Sequence, residues 1–258
     1  MSDDNVWAAG TSERETKEPE TLKPASFSYR GDKPNVGEVL GYVFKDIGDN
    51  SMAYVWAGLP NLAYICCIFG GLILGVMLLV FGMIATGVDP DSPEFVFWIL
   101  GFEANFLLII PVGYFFQVGT FRAIWWHLSG QEELSWSSGF RATLTKPGHT
   151  IGLAFLTVPL MLVGLLMCYL PALAVLLWLH LAICIMIVDE VGPITAYKKA
   201  FRLFQKNPGY HSKMVGMGTL LEIAIMQIPV VGWIAGYPIG GAMHLVAYRE
   251  SQRETEDT

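Results

Sequence analysis

Four side chains able to carry charge or hold a cation sit inside long apolar stretches of this chain: Glu103, His180, Glu222 and His244. Burying a carboxyl or an imidazole among apolar residues is costly, so each is a candidate for proton handling, cation binding or a buried hydrogen-bond network. Counted at roughly 1.5 Å per residue from the ends of their runs, Glu222 and His180 fall about 14–15 Å deep and Glu103 about 12 Å from one face, with His244 nearer the opposite, cytoplasmic side. A relay through Glu103, His180 and Glu222 is one reading. Separate satisfaction by Asn105, Gln227, a hydroxyl or a backbone carbonyl is the other, and no spacing forces the three together. The histidines at 127, 149, 180, 211 and 244 make no His-Glu-x-x-His or other metal-ligand spacing. There is no Gly-x-Ser-x-Gly elbow, no phosphate-binding glycine loop and no dinucleotide fingerprint. The expectation is therefore no catalytic residue, no metal and no cofactor.

The stretches that must position these groups dominate the composition. Of 258 residues, 53% are hydrophobic and only 15% charged, with mean hydropathy +0.46. The first 50 residues hold 16 of the charges, the last ten hold 6, and the 198 between them hold 17. A soluble enzyme, a disulfide scaffold and a nucleic-acid binder are poor fits; the net charge of −7 offers no basic footprint for DNA or RNA. Residues 1–35 read as an acidic, disordered cytoplasmic tail, not a cleavable signal, and 251–258 as a second polar tail. Cys66, Cys67, Cys168 and Cys184 lie in apolar runs and read as small buried hydrophobes.

An apolar core of about 30 Å needs about 20 residues of helix. Residues 62–85 and 95–118 each suffice. The uncharged run 151–188 is divided by Leu170-Pro171 into 151–169 and 171–188, because proline disfavours a helical residue before it. The run 214–248 divides at Pro229–Gly232 into 214–229 and 231–248, with a re-entrant pair as the alternative. Six spans place all 16 Lys and Arg on one side and leave the three opposite loops with none, as the excess of cytoplasmic cations requires. The expected fold is an all-α polytopic membrane helix bundle over residues 36–250: six transmembrane helices as three hairpins, both termini cytoplasmic, in the inner membrane.

Each hairpin follows an amphipathic segment, at 36–44, 134–144 and 191–204. In the third, Ile194, Tyr197, Phe201 and Phe204 recur at helical spacing beside Lys198, Lys199, Arg202 and Lys206. Such a helix suits a membrane interface, with its cations toward anionic headgroups or an acidic partner. Gly71-x-x-x-Gly75 and Gly232-x-x-x-Gly236-x-x-x-Gly240 allow close helix approach, within the bundle or between two copies. Asp189-Glu190 suits either a cation or pairing with Lys198 or Lys199.

The run Ile187-Val188-Asp189-Glu190-Val191-Gly192-Pro193-Ile194-Thr195-Ala196, the basic stretch to Asn207, and Ala247-Tyr248-Arg249 together carry a resemblance. They resemble the bacterial six-span proteins related to the membrane domain of glycerophosphodiester phosphodiesterases, in particular relatives that lack a catalytic domain. The resemblance covers roughly 36–250 and implies fold and location more than activity. The function expected is organisation of membrane lipid or a protein partner through the basic cytoplasmic face. The alternative is a small transporter or a proton- or ion-conducting protein using Glu222 and Glu103.

Overall fold

The computed structural model describes residues 35–87, 89, 92–166 and 170–256, with side-chain detail outside 67, 97–111, 162, 164–173 and 253–256. The N-terminal tail, Cys168 and the side chains of Cys67, Glu103 and Asn105 thus lie outside the described residues. The described chain is helical: α1 (Val36–Asp49), α2 (Ser51–Thr86), α3 (Pro93–Leu128), α4 (Trp136–Leu144), α5 (Pro147–Leu166), α6 (Leu170–Val188), α7 (Pro193–Lys206), α8 (Pro208–Met226) and α9 (Val231–Glu256). All-α is the fold class. Among the described residues, α2 is long and apolar enough to cross a membrane by length and composition, and Pro147–Met161 and Ala174–Val188 are shorter apolar stretches.

Local chemistry explains where the helices start. Asn35 and Glu38 exchange backbone and side-chain hydrogen bonds, both 3.0 Å, in a capping box that opens α1. Ser135 and Ser138 make the analogous box for α4, at 3.4 and 2.7 Å. Proline occupies the first turn of α3, α7 and α8, where its missing N–H costs nothing. The ranges expected at 62–85 and 95–118 fall within two 36-residue helices, in the C-terminal part of α2 and the N-terminal part of α3. Hydropathy marks where a helix is apolar, whereas the helix itself continues until its backbone is capped. For α2 that is Gly87, at φ 65°.

Helix α9 is central, packed on α1, α2, α3, α6 and α8. Its neighbours meet it over a core that includes Val118, Phe121 and Ile124 of α3, Leu179 and Ile183 of α6, and Met243 and Leu245 of α9. Away from this core, α2 turns Phe69, Ile73, Leu74, Met77, Leu78, Phe81 and Ile84 outward without covering them.

Two prolines inside helices shape the packing. Pro60 and Pro238 each deprive the carbonyl four residues earlier, on Trp56 and Ile234, of its helical donor. In each case a glycine of another helix stands against that oxygen. A Cβ at Gly139 of α4 would lie 2.5 Å from the Trp56 carbonyl oxygen, and a Cβ at Gly58 of α2 would collide with the Ile234 carbonyl. Only a residue without a side chain brings the backbones this close.

Candidate functional site

The fold brings His180, Glu222 and His244 to one point. Helices α8 and α9 are antiparallel, joined by the short turn 227–230, and each helical side chain leans toward its own N-terminus. Glu222, nearer the turn, therefore leans away from it, while His244, farther along α9, leans back toward it. Glycines leave room for both. A Cβ at Gly240 would stand 2.8 Å from Glu222 Oε2, and a Cβ at Gly218 would collide with the His244 ring. His180 enters from α6, its ring centroid 4.9 Å from that of His244. Glu222 Oε2 lies 3.7 Å from His180 Nε2.

Helix α3 closes the cluster with two residues one turn apart. The side-chain nitrogen of Gln117 lies 3.2 Å from His180 Nε2. The Phe121 ring lies 6.2 Å from His180 and 6.0 Å from His244, centroid to centroid. His180, His244 and Glu222 are 2%, 3% and 6% exposed, so water is nearly excluded. His180 Nδ1 meets the Leu176 carbonyl at 2.8 Å. A carbonyl only accepts, so Nδ1 carries the hydrogen, and in the neutral ring the Nε2 lone pair accepts from the Gln117 amide.

The partners differ from those suggested by depth counting. His244, which depth counting did not join to the other two, stands against His180, because its side chain leans back along α9 toward the turn. Gln117 is the polar neighbour the sequence reading missed, and it carried no charge to attract notice. No linear spacing announced a metal-ligand set, yet one ligand atom from each of His180, Glu222 and His244 lies within 4.8 Å of the others. The Glu103 side chain is outside the described residues, so its part in a relay is not placed.

The glycines separate into two kinds. Gly232, Gly236 and Gly240 press against α8, where a Cβ would strike Ile225, Met226 or Glu222. Among the described residues, no atom of another helix lies within 4 Å of where a Cβ at Gly71 would stand, and Gly75 is half-buried.

A second polar region gathers at the ends of these helices. Asp189 Oδ2 accepts from Lys199 Nζ at 2.6 Å and from the Tyr248 hydroxyl at 2.8 Å. Glu190 pairs with Lys146 at 2.8 Å, so the two acids divide between α7 and the start of α5. Asp46 of α1 accepts from Tyr54 at 2.7 Å and Asn50 at 2.9 Å, with His127 Nε2 at 3.3 Å. Burial pushes the Asp46 carboxyl up, but the His127 ring, the Tyr54 hydroxyl and the Asn50 amide outweigh it, leaving it below its ordinary value.

On α7 the residues sort into three sectors. Ala196, Ala200 and Phe204 face the protein and are buried. Ile194 and Phe201 are 58% and 43% exposed, and Lys198, Arg202 and Lys206 are exposed on a further face. At about 100° per residue the exposed apolar sector lies between the buried one and the cationic one. On α4 the small residues Ser138, Gly139, Ala142 and Thr143 face inward, while Trp136, Phe140 and Leu144 form an outward apolar stripe. Comparison with protein families, with curated proteins and with solved structures finds no match.

Proposed function

We propose that this chain is a six-span inner-membrane protein with both termini cytoplasmic, organising anionic lipid or a protein partner through its basic cytoplasmic face. The observation that carries this reading is the three-sector division of α7. Protein, exposed apolar side chains and exposed cations follow one another around a single helix, as they must where bundle, acyl chains and headgroups meet. The outward stripe of α4 and the uncovered apolar surface of α2 support the same placement, since a water-soluble protein seldom leaves such surface bare. The resemblance to the membrane domain of glycerophosphodiester phosphodiesterases belongs to this reading and implies no catalytic domain.

Two measurements test it. Single cysteines replacing Ser92 and Ser251, in a chain lacking its four native cysteines, should react with an impermeant maleimide from opposite sides of the membrane. Labelling of both from one side would refute the six-span topology. The triple variant Lys198→Glu, Arg202→Glu, Lys206→Glu should lose retention of anionic over zwitterionic lipid in nanodiscs of mixed composition, at unchanged elution volume. Equal lipid selectivity would refute the role of the basic face.

A second reading, proton or cation passage, is favoured by the burial of His180, Glu222 and His244 within one cluster. It predicts that Glu222→Gln lowers flux in proteoliposomes, whereas the organising role leaves it unaffected.

A further inference from the structure

We propose that His180, Glu222 and His244 bind one divalent transition-metal ion inside the helix bundle. The inference stands apart from the basic face and needs neither its lipid nor its partner.

The cluster lacks donors and acceptors for the atoms it buries. Among the described residues, Glu222 Oε2 and both ring nitrogens of His244 have no hydrogen-bond partner, although all three are buried. Native interiors leave few polar atoms in that state, and three at one point call for a common cause. His180 sharpens the case. With its hydrogen on Nδ1, committed to the Leu176 carbonyl, a neutral ring keeps its Nε2 lone pair for the Gln117 amide, 3.2 Å away, with a carboxylate oxygen of Glu222 at 3.7 Å. That amide serves the ring nitrogen and leaves the carboxylate oxygen beside it without a donor among the described residues.

A proton shared between His180 and Glu222 would answer that pair alone. It would leave both nitrogens of His244 bare, with the ring centroid 4.9 Å from an imidazolium that repels any charge on it. A metal ion answers all three side chains at once, accepting one lone pair from each imidazole and one from the carboxylate. Two nitrogens and one carboxylate oxygen suit zinc, iron, manganese, cobalt or nickel as divalent ions. Calcium and magnesium prefer an all-oxygen shell, and copper(I) prefers sulfur.

The spacing is close to what such an ion requires. Bonds of about 2.1 Å in tetrahedral geometry hold ligand atoms roughly 3.4 Å apart. His180 and Glu222 stand at 3.7 Å already, and the full set lies within 4.8 Å, so a small side-chain rotation closes it. The Nδ1–H bond of His180 to Leu176 is the kind of outer contact that fixes a ligating imidazole, and a bound ion would take the Nε2 lone pair that the Gln117 amide meets at 3.2 Å. Gly218 and Gly240 become part of the site, since a methyl on either would occupy the space of a ligand.

The test uses the purified full-length protein in detergent, stripped with chelator and then titrated with Co²⁺. Visible d–d absorption reports the geometry and elemental analysis the stoichiometry. The expected result is one ion per chain, with the intense visible bands of a four- or five-coordinate site, displaced by an equivalent of Zn²⁺. Glu222→Gln and His244→Gln, both close in volume to the native residue, should each weaken binding by roughly 100-fold or more. Their elution volume and helical circular dichroism should match the parent. His149→Gln, on a histidine remote from the cluster, should bind as the parent does. Failure of the native protein to develop the bands overturns the proposal, whatever the variants do. So does undiminished binding in a folded His244→Gln variant, which would place the ion elsewhere. A variant that misfolds leaves the native titration and its stoichiometry to decide.

Discussion

The Tyr248 hydroxyl donates to Asp189 Oδ2 at 2.8 Å, joining the last turns of α9 to the end of α6. The same oxygen receives Lys199 at 2.6 Å, and the Lys199 ammonium lies 5.6 Å from the Tyr248 ring centroid. One carboxylate thus ties α6, α7 and α9. Tyr248→Phe should preserve the packing but lose the hydrogen bond to a charged group, costing about 1.5–3 kcal/mol. A melting temperature unchanged from the parent in the same detergent would count against this.

Asp46 sets a pH dependence whose sign follows from its depressed pKa. A carboxyl held below its unfolded value of about 3.9 contributes stability that is complete above that value. The contribution disappears as pH falls through the folded value. Asp46→Asn should therefore melt lower than the parent at neutral pH, and the two curves should converge as the pH is lowered below the carboxylate range. Parallel curves across that range would place the pH dependence elsewhere.

Gly240→Ala should destabilise by about 1–3 kcal/mol through overpacking, because the new methyl would meet Glu222 Oε2 at 2.8 Å and Glu222 Cβ at 2.9 Å. Shortening the opposing residue in the double variant Glu222→Ala, Gly240→Ala should return part of that loss. Simple additivity of the two substitutions in thermal denaturation would contradict the contact.

Arg122 holds the end of α4 by donating to the carbonyls of Ala142, at 2.9 Å, and Thr145. Arg122→Ala would leave those carbonyls without their cation and loosen the stretch that carries Arg141 and Lys146. Trypsin should cut there several times faster in the variant, with circular dichroism largely unchanged. Equal digestion rates would assign the hold on α4 to its packing alone.

The helices were largely legible because their causes are local. Apolar runs, Leu170-Pro171 and the turn before Val231 mark the long segments, and the amphipathic periodicity of 36–44, 134–144 and 191–204 marks α1, α4 and α7. Helix ends were less legible: α2 and α3 carry on through polar residues, since polarity does not stop a helix. The surface assigned to the apolar side of α7 was also partly misplaced. Phe204 faces the protein, but Ala196 and Ala200 accompany it there, and Ile194 and Phe201 remain outside. Small residues pack against a helix as well as large ones do, and hydropathy ranks only the large ones. The buried cluster had one usable signal, the similar depth of His180 and Glu222. What placed His244 beside them was the antiparallel lean of side chains on α8 and α9 together with the empty space at Gly218 and Gly240. Those are properties of a helix pair, not of any stretch of sequence.

The two glycines set against proline-freed carbonyls, Gly139 at Trp56 and Gly58 at Ile234, have a consequence for how this chain can change. At those points α2 is indexed to α4 and to α9 by main chain against main chain. Side-chain shape, which can be exchanged for another shape of equal volume, does not set the register there. The surrounding core can therefore drift through many combinations of leucine, valine and phenylalanine while the helices keep their alignment. One added methyl at either glycine would shift a whole helix, and no substitution in the facing side chains would put it back.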